Sequence, residues 1–584
     1  TRLLVMPILR LALAQTNPRL GDFSRNSLQI VNTAVDAFHQ GADLVAFGEM
    51  ALTGYPIEDL ANRPDFLHQS RQALEAVASQ IAAAGAGAIP VIVGFAHGPI
   101  HELPDSAHSP SSIAHNSAAV LQDGRIIGIY NKHHLPNYSV FDEYRIFRPG
   151  TDALVVHVAG ADVALAICED IWREGGPVAA IAEVKPSLLL VLNGSPFERE
   201  KDEVRLPLVQ RRAEQVNAPV AYLNLVGGQD DLVFDGGSFV TNSSGKLLAR
   251  AHQFVEQTLI LDVDVKESTT HGSQVGPGVV VVEAGSGSPA RSTRAKVTAE
   301  ITPQLEINEQ IWDALVLGMR DYVEKNGFRS VILGLSGGID SAVCAALAVD
   351  AIGPDRVFGV SMPSNYSSDH SMSDADDLAQ RLGIHMRTEA IAPLVAPVES
   401  QLHLDGVAAE NLQARIRGII LMGLSNAEGH LVLTTGNKTE IAVGYSTIYG
   451  DSVGGFAPIR DVPKTLVWEL ARWRNEHARM KGLTAPIPEN SITKPPSAEL
   501  RPGQVDQDSL PEYEVLDAIL DLYITQQKSA QDIVAQGFDA EMVMRVISLV
   551  DRAEWKRRQG AIGPKISQMA FGRDRRLPVT FVRN

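Results

Sequence analysis

Cysteine is almost missing from this 584-residue chain, which holds only Cys168 and Cys344. Two thiols exclude a disulfide framework and a cysteine-rich zinc site, and they suit a reducing, cytoplasmic compartment. Basic charge is scarce as well. With 51 Lys and Arg against 69 Asp and Glu the formal charge is −18, so no nucleic acid is expected as a partner, since neutralising a phosphate backbone takes clustered cations. No stretch reaches the roughly 18 uncharged apolar residues that a membrane span requires, so no membrane partner is expected. The apolar start at residues 3–13 is broken by Pro7 and Arg10 and runs into AQTNP without a small-residue cleavage site. It reads as a first strand. Internal repeats are not seen.

What is present is an ordinary globular composition, 45% hydrophobic and 21% charged, in a chain too long for one core. From residue 8 to about 265, short β runs at 42–47, 91–94, 163–167 and 188–192 alternate with helical patterns, as in an α/β domain. Residues 266–300 differ, with Ser, Thr and Gly clusters around one β run at 279–282, and read as a linker. Helices and strands alternate again over 301–584. The expected division is therefore 1–265, a linker at 266–300, and 301–584.

Residues 331–341, VILGLSGGIDS, form an apolar run that stops at a glycine turn and restarts as a helix at AVCAALA. Gly337 and Gly338 admit a ligand close to the backbone, and amides at a helix N-terminus attract anions. A generic glycine turn would look similar. A Walker A loop would carry Lys where this chain has Asp340, so the acidic residue suggests Mg2+ held against a pyrophosphate. SGGIDS resembles the pyrophosphate loop of the ATP pyrophosphatases. That resemblance implies ATP binding by Gly334, Leu335, Ser336, Gly337, Gly338, Ile339, Asp340 and Ser341.

In the first half, Glu49, Lys132 and Cys168 each follow a strand-like run, and sites at strand ends converge. An ammonium near a thiol favours the thiolate, and a carboxylate can take and return its proton, so the three make an acyl-transfer site. Taken singly, Cys168 also reads as a buried apolar residue, and the other two as surface charges. Their settings, FGEMALTGYP at 47–56, YNKHHLP at 130–136 and ICEDIW at 167–172, resemble the three motifs of the nitrilase superfamily. The resemblance implies an α-β-β-α sandwich with Glu49 as base, Cys168 as nucleophile, and Lys132 with the Glu169 amide on the oxyanion. NGSPF at 193–197 and DGGS at 235–238 are similar to the glutamine-hydrolysing branch, which implies glutamine contacts from Tyr138, Ser195 and Lys201. His133 and His134 lack metal-ligand spacing and read as structural or surface residues.

After the phosphate loop come MPSNYSS at 362–368, ENLQARIR at 410–417, TTGNKTE at 434–440 and KPPSAEL at 494–500. These resemble NAD synthetase, and with the nitrilase-like half the whole chain resembles the glutamine-dependent NAD synthetases. The implied fold of 301–584 is a doubly wound parallel sheet of the adenine nucleotide α-hydrolase kind. Implied sites are Thr435 on ATP, Asn411, Glu440 and Lys556 on deamido-NAD, and Asp340 with Glu440 on Mg2+. Arg415 and Arg417 pair with phosphates or with carboxylates of the protein, the segment of Lys494 is a candidate lid, and Cys344 is core. The implied reaction is ATP-driven adenylation of deamido-NAD and its amidation by ammonia from glutamine, giving NAD, AMP, pyrophosphate and glutamate. The family also implies a homo-oligomer and internal passage of ammonia. Two other readings are an amidotransferase acting on a different carboxylate and a sensing scaffold with dead sites. The second is disfavoured because Glu49, Lys132, Cys168, Asp340 and Glu440 are all present.

Overall fold

A computed structural model describes residues 7–98, 114–270, 278–285, 295–364, 369–497, 499–501 and 503–581. Residues 3–6 of the expected first strand, 271–277 and 286–294 of the expected linker, and 365–368 of MPSNYSS lie outside the described residues. Two compact units emerge: Thr1–Gly227 with Phe234–Leu305, and Gly228–Val233 with Glu306–Asn584.

The first unit is built on two sheets. One has the strand order Gln257–Asp264, Ile8–Gln15, Leu44–Phe47, Val91–His97, His115–Gln122, Arg125–Asn131. The other runs Leu247–Arg250, Phe239–Thr241, Val220–Asn224, Leu188–Asn193, Ala161–Ile167, Ala153–Val158, Val279–Glu283. Central strands such as LVAF at 44–47 and ADVALAI at 161–167 are buried throughout and, but for Asp162, apolar, because both faces of each sheet are covered. Alternate residues face opposite sides. Leu11, Leu13, Leu44, Val163, Leu165 and Leu190 meet in the core between the sheets. Outward residues of the first sheet pack on the helices Phe23–His39 and Pro64–Ala83 through Ile30, Ala34, Leu74 and Val77. Those of the second pack on Gly176–Val184 and Asp202–Val216 through Val178, Ile181 and Val209. The layers are α-β-β-α.

The segment read as a linker contributes to this unit. Ser268 Oγ and Thr270 Oγ1 donate to Asp162 at 2.7 Å each, and Val279–Glu283 pairs in parallel with Ala153–Val158. Conversely, residues 228–233 group with the second unit, where Gly228 N donates to Asp321 at 2.6 Å and Lys565 N donates to the Asp231 carbonyl at 2.8 Å.

The second unit has a four-stranded, all-parallel sheet in the order His385–Thr388, Val357–Ser361, Val331–Gly334, Leu431–Val432. Sequence order therefore reverses between Val331–Gly334 and Leu431–Val432. A crevice opens at the carboxyl ends of two such strands, where nucleotides bind in doubly wound folds. Ile332, Val360 and Val432 pack on Leu412, Ile416 and Leu421 of the helix Gly406–Glu428. The helix Ile339–Ile352 packs on Ile307–Asn326 and Lys464–Met480, and its Ala342 to Ala348 stretch, Cys344 included, is wholly buried.

Candidate functional site

Three turns at strand ends carry the first site. Glu49 follows Leu44–Phe47, and the turn rests on Val91–His97 at Gly94, where a Cβ would lie 2.2 Å from the Gly48 carbonyl oxygen and 2.4 Å from Met50 N. Only glycine fits there. Lys132 follows Arg125–Asn131, and Cys168 follows Ala161–Ile167 at a left-handed φ of 43°. Such a conformation in a non-glycine residue is strained and marks a position fixed by its surroundings. Asp170 fastens two of the turns together, accepting from Ile167 N at 2.9 Å, Tyr130 OH at 2.6 Å and the amides of His133 and His134 at 3.1 and 2.8 Å. The two histidines serve here through their backbone.

The buried side chains then meet. Glu49 Oε1 accepts from Lys132 Nζ and Asn116 Nδ2, each at 2.7 Å, and Glu49 Oε2 accepts from Gly194 N at 2.6 Å. Lys132 Nζ is also 2.8 Å from Glu143 Oε2, while Tyr55 OH donates to Glu143 Oε1 at 2.8 Å. Burial opposes the charge on Lys132, but the two carboxylates more than offset it and hold the ammonium firmly protonated. Burial, with the charge of Glu49 next, pushes the Cys168 thiol well above its ordinary range in spite of Lys132. One ammonium shared by two carboxylates leaves little positive charge to favour the thiolate. That direction calls for a base to take the Cys168 proton, the part expected of Glu49.

Around this centre, Tyr138 OH donates to Glu169 Oε2 at 2.8 Å, next in the chain to Cys168. Ser195 lies in the turn whose Gly194 amide holds Glu49, and Ser195 N donates to Asn224 Oδ1 at 2.9 Å. Lys201, at the start of the helix Asp202–Val216, is 3.8 Å from Glu198 Oε1.

In the second unit, the loop from Gly334 to Ser341 joins Val331–Gly334 to the helix Ile339–Ile352. Gly337 has φ 74°, and the turn is tied down by Ser341 Oγ donating to the Gly338 carbonyl and Ser491 Oγ donating to that of Gly337, both at 3.0 Å. Asp340 Oδ1 accepts from Asn437 Nδ2 at 3.0 Å, and Asn437 Oδ1 caps the helix Lys438–Val443 by accepting from Glu440 N at 3.0 Å. Lys464 Nζ bridges the two acids, bonding Asp340 Oδ2 and lying 3.3 Å from Glu440 Oε1. Burial, opposed by Lys464, raises the Glu440 carboxyl to about 8. A cavity of about 250 Å³ adjoins the loop, bounded by Gly334, Leu335 and Ser336, by Thr434 and Thr435, and by the apolar Met362, Leu421 and Val453. Arg417 and Asp451 face the same cavity, and Arg417 Nε donates to the Met362 carbonyl at 3.2 Å. Arg415 Nε instead donates to the Ile448 carbonyl at 3.3 Å. Asn411 and Lys556 converge on one turn: Asn411 Oδ1 accepts from Thr447 Oγ1 at 2.7 Å, and Lys556 Nζ donates to the Gly444 and Ser446 carbonyls at 2.8 and 2.7 Å. Lys494 pairs with Glu499 at 3.1 Å.

Four side chains at these sites escaped the sequence reading. Asn116 and Glu143 carry no local signal, being common polar residues without a motif around them, whereas Asn437 stands in TTGNKTE three residues before Glu440, the spacing of a helix N-cap. Lys464 left a signal too, since a lysine opening the helix Lys464–Met480 opposes the helix dipole and so needs an outside reason.

Comparison with known proteins agrees with this geometry. The carbon-nitrogen hydrolase family model matches residues 10–270, and the NAD synthase model matches 311–560. The chain is 43% identical over 580 residues to glutamine-dependent NAD(+) synthetase of Acinetobacter baylyi, covering 98% of each. It is also 43% identical over 595 residues to that of Thermotoga maritima, covering 98% of this chain and 99% of the relative. A solved structure of glutamine-dependent NAD+ synthetase from Acinetobacter baumannii, in complex with adenosine diphosphate, superposes with a TM-score of 0.72 at 41% identity, covering 98% of each chain. With a carbon-nitrogen hydrolase match in the first half, an NAD synthase match in the second, and relatives at this identity over 98% of the chain, the chain belongs to the glutamine-dependent NAD(+) synthetase family.

Proposed function

We propose that the two sites divide one reaction between them, with residues 1–265 hydrolysing glutamine and 301–584 adenylating and amidating deamido-NAD. The chain is an ATP-dependent ligase that forms a carbon-nitrogen bond. In the first unit Glu49 takes the Sγ proton of Cys168 as sulfur attacks the glutamine amide carbon. The oxyanion receives Lys132 Nζ and the Glu169 amide, and Glu49 returns the proton to the departing ammonia. Water, activated by the same carboxylate, then cleaves the thioester to glutamate. Tyr138, Ser195 and Lys201 hold the amino-acid end.

In the second unit the amides of the 334–341 loop receive the ATP phosphates, and Thr435 with the apolar wall of Met362, Leu421 and Val453 takes the nucleoside. Asn411, Glu440 and Lys556 face deamido-NAD. Its nicotinate carboxylate displaces pyrophosphate from the α-phosphorus, and ammonia then displaces AMP from the resulting mixed anhydride. Adenylation is needed because a carboxylate has no good leaving group. The donor set suits magnesium: Asp340 and Glu440 stand close enough to share the Lys464 ammonium, and Mg2+ is commonly held by one or two carboxylates plus substrate phosphates. Asp340 and Glu440 would hold it, and its charge would offset that of the pyrophosphate.

The observation that carries this reading is the pairing of Glu440, through Lys464, with Asp340, on a loop whose Gly334, Leu335 and Ser336 line the cavity of about 250 Å³. Asp340→Asn and Glu440→Gln are each expected to lower NAD synthesis by about 100-fold or more with either glutamine or ammonium, the scale of losing one electrostatic contact to a reacting phosphate. Glutamine hydrolysis by the first unit should persist in both. Full synthesis from ammonium in either variant would refute the assignment.

Two features of the whole protein belong to the same proposal. Val407 and Ile419, 69% and 62% exposed, stand with Met422 on the outer side of Gly406–Glu428, and a second copy of the chain covers them. Both cysteines are free, in keeping with a cytoplasmic location.

A further inference from the structure

The turn after Leu188–Asn193 is held from two sides, and the two sets of contacts differ in what they serve. On the side of the catalytic base, Asn193 O accepts from Leu225 N at 3.0 Å, Asn193 Nδ2 donates to the Val191 and Leu223 carbonyls at 3.0 Å each, and Gly194 N reaches Glu49. On the other side stands a buried guanidinium. Arg205 Nη2 donates to the Ser195 carbonyl at 3.0 Å, the Ser195 hydroxyl at 3.3 Å and the Pro196 carbonyl at 3.2 Å. Its Nη1 is 2.6 Å from Asp235 Oδ2, and the two side chains are 3% and 1% exposed. Asn224 completes the lattice, accepting from Ser195 N at 2.9 Å and donating to Ser195 O at 3.2 Å and Asp235 Oδ1 at 3.3 Å.

Burying a charge pair gives little net stability, because the desolvation of both ions offsets their attraction. What this pair does is specify geometry. A guanidinium is a rigid fork, and here one arm is fixed by Asp235 while the other grips three oxygens of a single turn. The donation to Ser195 Oγ occupies an acceptor site of the hydroxyl and fixes its oxygen together with the two carbonyls of the turn.

We propose that Arg205 and Asp235 are positioning residues for glutamine selection: they set the 195–196 turn against the amino-acid end of the substrate, while the chemistry at Cys168 depends on the Glu49 side of the same turn. This rests on the reading of the first unit as a glutamine-hydrolysing site that the 195–196 turn borders. The test uses the full-length protein and the variants Ser195→Ala, Arg205→Lys, Arg205→Met and Asp235→Asn. Three quantities are measured: KM and kcat for glutamate release, NAD synthesis from ammonium chloride, and the rate at which iodoacetamide alkylates Cys168, followed by peptide mass. Arg205→Met and Asp235→Asn should raise KM for glutamine by about tenfold or more with kcat changed by less than about threefold, the pattern of lost ground-state binding. Alkylation of Cys168 and ammonium-dependent synthesis should stay at the level of the unaltered protein. Arg205→Lys should recover part of the KM, since it keeps the charge on Asp235 but not the fork.

An unchanged KM in Arg205→Met and Asp235→Asn overturns the proposal. So does a fall in kcat and alkylation rate in step with KM, which would make the lattice a support of the fold alone. If Arg205→Met loses alkylation by unfolding, the isosteric Asp235→Asn decides on the same readings. Should Ser195→Ala raise KM while the Arg205 and Asp235 variants do not, the lattice proposal fails and the Ser195 assignment stands. A raised KM in the lattice variants with none in Ser195→Ala removes the serine hydroxyl from the glutamine site and leaves the positioning of the turn in place.

Discussion

Lys132 is the buried charge on which the first site turns, and its second partner, Glu143, sets a pH dependence. Glu143 has Tyr55 OH on one oxygen and Lys132 Nζ near both. Burial, countered by Lys132, raises its carboxyl to about 7. Above that pH it is an acceptor at both oxygens and anchors the ammonium; below it, protonation removes an acceptor and loosens Lys132. Glutamine hydrolysis should therefore fall as pH drops through about 7, and Glu143→Gln should lower kcat by about 100-fold while removing that acid limb. A variant with the original acid limb would contradict this, as would one with unchanged kcat. At this scale Glu49, Lys132 and Cys168 were legible because each is a reactive residue at the end of an apolar run. The upward push on the Cys168 thiol was not legible, because it follows from burial and then from Glu49, with Glu143, which no local pattern marks, adding to it.

At the scale of elements, two glycines carry the geometry of the reactive turns. Gly94 lets a central strand pass directly beneath the Glu49 turn, so Gly94→Ala should destabilise the first unit by about 1–3 kcal/mol, as overpacking does, and suppress glutamine hydrolysis. Urea unfolding together with a glutaminase assay would check both effects. Gly337, at φ 74°, shapes the loop proposed to receive the ATP phosphates. Gly337→Ala should weaken ATP use by either nitrogen source and leave glutamine hydrolysis intact; loss of hydrolysis alone would contradict the assignment. The alternating pattern revealed α/β architecture because the strands are apolar on both faces. The pairing of Val279–Glu283 with Ala153–Val158 was hidden, since a lone β run among Ser and Gly does not say which sheet it joins. Residues 228–233 were hidden likewise: their partners Asp321 and Lys565 are about 90 and 330 positions away.

For the whole molecule, the two motif sets name two chemistries, and the chain joins them as one ligase. Order and spacing of motifs were readable across 584 residues, and so was the family. The exposure of Val407 and Ile419 was not, because an apolar residue on a helix reads as core until its neighbours are known. Ile419→Glu is expected to lower the molecular mass seen by light scattering to that of a smaller assembly; an unchanged mass would remove that face from the proposed contact. The central claim, that the thiol of the first unit feeds nitrogen to the second, is tested most directly by Cys168→Ala assayed with two nitrogen sources. NAD synthesis from glutamine should vanish while synthesis from ammonium chloride stays near the level of the unaltered protein. Equal loss with both sources, or continued synthesis from glutamine, would contradict it.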